Sequence, residues 1–92
     1  MILAFRHKGL RRLHDDDDRR KLPAEDIAKI RRILARLDVA KTPDDMNAPG
    51  FKLHPLKGAL RGFWAVTVRA NWRIIFRIED GHAIDVDFID YH

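Results

Sequence analysis

Three short stretches carry the groups that could do chemistry. They are His54-x-x-Lys57, Asn71-Trp72-Arg73 and the closing Asp90-Tyr91-His92. Together they supply imidazoles, cations, a phenol and a carboxylate, and the sequence has no cysteine. That inventory suits cleavage of an RNA phosphodiester without a metal. RNA carries its own nucleophile, the 2′-OH beside the scissile phosphate. The catalyst then needs a base for that hydroxyl, cations for the charged transition state and an acid for the 5′-oxygen. Histidine fills both proton roles near neutral pH. No phosphate-binding glycine loop, Ser-His-Asp pattern or zinc spacing appears, so no metal site and no cofactor is expected.

The elements that must position these groups fit one domain, 1–92. Ninety-two residues bury a modest core. The absence of cysteine fits a reducing compartment. No apolar run approaches the roughly 20 residues of a membrane span. The first six residues are too short for a signal peptide. The expectation is a cytoplasmic protein with no membrane partner. Net charge is +4, and eleven of the 18 Lys and Arg fall between Arg6 and Arg36. A basic N-terminal half points to a polyanionic partner such as nucleic acid, or simply to a solvated basic surface.

Ile2 to Phe5 reads as a short strand, and Arg6 to His14 as a short helix with Leu10 and Leu13 on one face. The four aspartates at 15–18 read as a solvated turn. Pro23 opens the clearest helix, in which Ile27, Ile30, Leu34 and Leu37 form one stripe and Lys29, Arg32 and Arg36 the opposite face. Thr42-Pro43 caps a short turn, and Asn47-Ala48-Pro49-Gly50 breaks the chain. From Phe51 the period becomes two. Strands are expected at Phe51 to His54, Phe63 to Arg69, Trp72 to Ile78 and Ile84 to Phe88, with Trp64 and Trp72 on core faces. For the last hairpin, a two-residue loop would set Phe76 against Asp85. A three-residue loop, Glu79-Asp80-Gly81, pairs Phe76 with Ile84, Ile74 with Val86, Trp72 with Phe88 and Arg73 with Asp87. That register is preferred and puts Arg73 on the face away from the core.

Read in order, these residues resemble the HigB-type toxins of the RelE/ParE superfamily over nearly the whole chain. The markers are Phe5-Arg6-His7-Lys8-Gly9-Leu10, the run from Gly50 to Gly58, Gly62-Phe63-Trp64-Ala65-Val66, Asn71-Trp72-Arg73-Ile74-Ile75-Phe76, and Asp85 to His92. The resemblance implies an α+β fold, with a short N-terminal strand and two helices packed on a mostly antiparallel sheet of about four strands. It implies ribosome-dependent cleavage of mRNA in the decoding site. It also implies a helix-turn-helix antitoxin of the HigA type, with operator DNA bound only through the toxin–antitoxin complex.

Residue chemistry supplies roles within that frame. His54 and His92 are the proton-transfer pair, with the choice of base and acid open. Asp90 would orient His92 and hold it protonated. Arg73 would hold the scissile phosphate. Lys57 sits beside Gly58, where backbone can approach RNA; by itself it reads as a turn lysine. Tyr91 could stack on a base or bond a phosphate. Asn71 could read a base edge, though it also reads as a plain turn residue. Arg11, Arg12, Arg19, Arg20, Lys29, Arg32 and Arg36 would grip ribosomal RNA. Two rivals stay open: a ParE-like inhibitor of DNA gyrase, and a non-enzymatic nucleic-acid-binding module.

Overall fold

The computed structural model describes residues 1–91. The N-terminal segment joins the sheet through parallel bridges, Ile2 to Ala83 and Phe5 to Val86. The amides of Arg6 and His7 still bond the Val86 carbonyl, at 2.8 and 3.3 Å. This delays the first helix to Lys8–Asp16 (α1), two residues later than its sequence suggests. His7 caps it, Nδ1 accepting the Leu10 amide at 3.2 Å. The aspartate run is not one solvated turn. Asp15 and Asp16 finish α1, and Asp17 is its left-handed cap at φ 57°. Carboxylates are unfavourable at a helix C-terminus. Here cations offset them: His14 beside Asp15, Arg31 on Asp17 and Arg20 on Asp18.

A single 3₁₀ turn after Pro23 leads into α2, Ile27–Val39. The expected stripe Ile27, Ile30, Leu34 and Leu37 is buried, joined by Ile33. Among the described residues no helix is long and apolar enough to cross a membrane.

The sheet holds His54–Pro55 (β1), Trp64–Arg69 (β2), Trp72–Glu79 (β3) and His82–Asp90 (β4), antiparallel in the order β1-β2-β3-β4. The strand expected from Phe51 shrinks to His54–Pro55. Lys52 takes a left-handed φ of 53° and breaks the extended run. Both helices cover one face of the sheet, where Val66, Ile74, Phe76, Val86 and Phe88 meet Leu10, Ile30 and Leu37. Trp64 and Trp72 pack at the margin of this core, Trp72 with its ring 4.9 Å from that of Phe88. The opposite, outer face carries a smaller apolar cluster of Leu56, Phe63, Ala65 and Ile75, flanked by Leu60 and Ile89.

The last hairpin corrects the expected register. Glu79 pairs with His82, so the turn is the two residues Asp80 and Gly81. Both have positive φ, 53° and 75°, the geometry that suits the twist of a tight hairpin. The clash of Phe76 with Asp85 is resolved by a bulge. Pairing runs from Arg77 with Ile84 to Ile75 with Asp87, leaving an extra residue on β4. Asp85 absorbs it at φ 53°, a conformation aspartate tolerates better than most residues. The bulge resets parity, so Ala83, Val86 and Phe88 all face the core and are buried. Arg73 therefore pairs with Ile89, Ile74 with Phe88 and Trp72 with Asp90.

Candidate active site

Residues directly opposed in a ladder share a face, as do residues two apart. Register therefore fixes what the outer face holds. One row crosses the sheet as His54, Ala65, Ile75 and Asp87. The next row is Thr67, Arg73 and Ile89. His54 and Arg73 share this face two strands apart, about 10 Å across the sheet. That span leaves room for a phosphodiester between an imidazole and a guanidinium.

His54 is half-buried, its Nδ1 2.9 Å from the Lys52 carbonyl. A carbonyl only accepts, so Nδ1 carries the proton and donates. In the neutral ring the lone pair then sits on Nε2. This is the arrangement of a base whose tautomer is held by the backbone.

Arg73 is half-buried and anchored at one end. Its NH1 donates to the Ala70 carbonyl at 2.5 Å and to that of Trp72 at 3.3 Å. Its Nε is buried with no hydrogen-bond partner among the described residues. An unmet buried donor costs about 1–3 kcal/mol. The β2–β3 turn also carries Asn71, exposed, whose carbonyl accepts the Tyr91 amide at 2.8 Å. This bond ties Tyr91, 37% exposed, to the sheet end that holds Arg73.

The other expected residues lie elsewhere. Asp90 pairs with Trp72, and alternation sets it on the helix side with Phe88, opposite to Arg73. Lys57 is exposed at the mouth of the Gly58–Leu60 turn. His92 lies outside the described residues. Asp87 shares the outer face but does not face Arg73; its Oδ1 accepts the Phe88 amide at 2.9 Å.

Apart from Arg6, the basic residues of the N-terminal half belong to the helix layer and its loops, not to the outer face. Arg20 forms a fork on Asp18 at 2.9 and 3.0 Å. That bond holds the Asp18 carboxyl well below the carboxylate range and raises Arg20. Lys29 donates to the Gly50 carbonyl at 3.1 Å. Burial first, then the charges of Arg32 and Lys52, push its ammonium down. Arg36 donates to the Asp45 carbonyl at 2.7 Å. Arg11, Arg19 and Arg32 are exposed, and Arg12 is half-buried. Sequence reasoning overlooked Arg6 and Arg77, which line the outer face beside Phe63. The alternation Arg73, Ile75, Arg77 was the available signal for Arg77; Arg6 gave none.

A family model described as the RelE-like toxin of type II toxin-antitoxin system HigB matches residues 3–92. Endoribonuclease HigB of Proteus vulgaris is 42% identical over 92 residues, spanning 100% of both chains. Toxin HigB-1 of Vibrio cholerae is 33% identical over 94 residues, spanning 100% of this chain and 98% of its own. Among solved structures, a YoeB/ParE toxin from Agrobacterium tumefaciens superposes with a TM-score of 0.62 at 19% identity. It covers 100% of this chain and 99% of that one, and at that identity it speaks for the fold alone. With a family match across nearly its full length and two relatives above 30% identity, the chain belongs to the HigB family of RelE-like toxins of type II toxin–antitoxin systems.

Proposed function

We propose that this HigB-family toxin is an endoribonuclease that cuts mRNA on the ribosome, by attack of the RNA's own 2′-OH. The observation that carries the reading is the pairing of His54 and Arg73 on one face. One presents a lone pair on Nε2, and the other an unmet buried donor. His54 takes the proton of the 2′-OH as its oxygen attacks phosphorus. Arg73 binds the phosphate and stabilises the charge that gathers on its oxygens. The 5′-oxygen leaves, and His92, assigned from sequence, gives it a proton. The products are a 2′,3′-cyclic phosphate and a 5′-hydroxyl. Lys57 adds positive charge, and Tyr91 and Asn71 border the site at the sheet end. Asp90 acts through His92. No metal enters this scheme.

A type II toxin has an antitoxin partner. We take that partner to be a HigA-type helix-turn-helix protein, through which the pair reaches operator DNA. The toxin acts in the cytoplasm, where translation occurs. Arg11, Arg12, Arg19 and Arg32 are the helix-layer cations best placed to grip ribosomal RNA. Arg20, Lys29 and Arg36 already have partners and must exchange them to do so.

The test is purified toxin added to ribosomes programmed with a defined mRNA, followed by mapping of new 5′ ends. Discrete cuts confined to the decoding site are expected, with naked mRNA spared. Intact mRNA, together with gyrase-dependent DNA breaks, would replace this reading with the gyrase-inhibitor one.

A further inference from the structure

Arg6 and Arg77 flank one aromatic ring on the outer face. Their guanidinium carbons lie 5.0 and 5.9 Å from the Phe63 ring centroid. Phe63 is itself buried in the outer apolar cluster, so it is a fixed platform for two planar cations. Asp85 sits between them, 3.7 Å from Arg6 Nε and 3.7 Å from Arg77 NH1. At that length these are charge pairs and not hydrogen bonds. The two arginine side chains remain 51% and 44% exposed.

Backbone structure sets each member in place. Arg6 donates its amide to Val86, Arg77 pairs with Ile84, and Asp85 is the left-handed bulge residue. The Gly58–Gly62 loop borders the pair, since a Cβ on Gly62 would lie 4.0 Å from Arg77 Nε. That loop carries the exposed Arg61. Asp85 faces both guanidiniums and Glu79 lies 3.9 Å from Arg77 NH2, so these two cations are balanced and the exposed Arg61 of the bordering loop supplies the excess positive charge.

We infer that Arg6 and Arg77, seated on Phe63, form a second phosphate-binding subsite for the RNA strand being cut. The inference rests on the reading of this face as an RNA-cleaving site. Arg77 stands four residues along β3 from Arg73, on the same face, so the two lie about 13 Å apart along the strand. Arg73 is anchored on the Ala70 and Trp72 carbonyls and Arg77 on Phe63, which holds their guanidiniums apart, so the subsite takes a different phosphate of the same strand. Planar guanidiniums match phosphate oxygens in pairs. Asp85 positions the two arginines and moderates their charge.

The test is binding of a fluorescein-labelled 12-nucleotide RNA, read by anisotropy across a salt series, alongside cleavage kinetics on programmed ribosomes. In the double variant Arg6→Gln/Arg77→Gln, RNA affinity should fall roughly tenfold. The slope of log affinity against log salt should shrink by about 1. KM for cleavage should rise with kcat little changed. Asp85→Asn keeps a residue that tolerates the bulge and removes the carboxylate, so it should bind several-fold tighter. A merely structural cluster would not give opposite signs in the two variants. Wild-type affinity and slope in both variants would overturn the subsite, as would failure of the wild type to bind the RNA at low salt. Cleavage by the wild type with an unchanged KM in the double variant removes the subsite and leaves the proposed function. RNA binding that depends on both arginines, without any cleavage, does the reverse.

Discussion

Arg73 stands directly opposite Ile89 in the β3–β4 ladder, and the left-handed Asp85 is what puts it there. The turn at Asp80 and Gly81 alone would carry the opposite parity through the hairpin. One extra residue at φ 53° restores it. A β-branched residue at 85 should therefore cost stability, because it resists that conformation. Asp85→Val is expected to destabilise by about 1–3 kcal/mol, and Asp85→Gly or Asp85→Asn by much less. Urea denaturation at constant m-value measures this. Equal midpoints for Val and Asn would remove the bulge argument.

Arg73 should be separable from stability. The cost of its unmet Nε donor offsets what its NH1 bonds to the Ala70 and Trp72 carbonyls contribute, so the fold gains little from the full guanidinium. Arg73→Lys keeps the charge but loses the planar fork. Cleavage should fall by about 10²-fold or more, with a melting temperature no lower than wild type. A variant that unfolds would show that the side chain is structural.

His14 gives a pH signature unrelated to catalysis. Its ring bridges Asp15 and Asp38 at 2.6 and 2.7 Å, linking α1 to α2. Burial alone would lower its pKa, but the bonds and charges of the two carboxylates outweigh it and raise it above 6.5. A raised folded-state pKa means that the contribution is complete below the unfolded value. It is lost as pH climbs through the folded one. The melting temperature should fall from pH 6 upward relative to a His14→Gln variant. Parallel curves for the two proteins would contradict this.

Asp26 is the one buried charged side chain among the described residues, at 2% exposure. Arg69 holds it from β2, Nε to Oδ1 at 2.8 Å and NH2 to Oδ2 at 3.4 Å. The pair fastens the start of α2 to the sheet. Asp26→Ala should destabilise by about 1–3 kcal/mol. Calorimetry would show it as a lower melting temperature, and wild-type melting would mean that the clasp is dispensable.

Much of this architecture was written in periodicities. The Ile27, Ile30, Leu34, Leu37 stripe gave α2, and the alternation of Trp72, Ile74 and Phe76 gave the core face of β3. That same alternation placed Arg73 on the outer face, correctly, although its partner was misassigned. A left-handed aspartate has no periodic signature, so the bulge at Asp85 was hidden. The outer apolar cluster was hidden as well, because nothing local to Ile75 or Ile89 shows that Leu56 and Phe63 pack with them. Arg6 read as helical because its bond to Val86 spans 80 positions of sequence. The outer-face role of Arg77 was missed for a related reason: its meaning depends on Phe63 and Asp85, which only the fold brings together.

The most direct measurement replaces the 2′-OH at one mapped cut site with hydrogen, in an mRNA loaded on ribosomes. His54 acting as base on that hydroxyl predicts no cleavage there, while neighbouring sites are still cut and their upstream fragments end in 2′,3′-cyclic phosphate. Undiminished cutting at the 2′-deoxy position would contradict the account, because the strand would then be broken without the nucleophile that His54 is placed to activate.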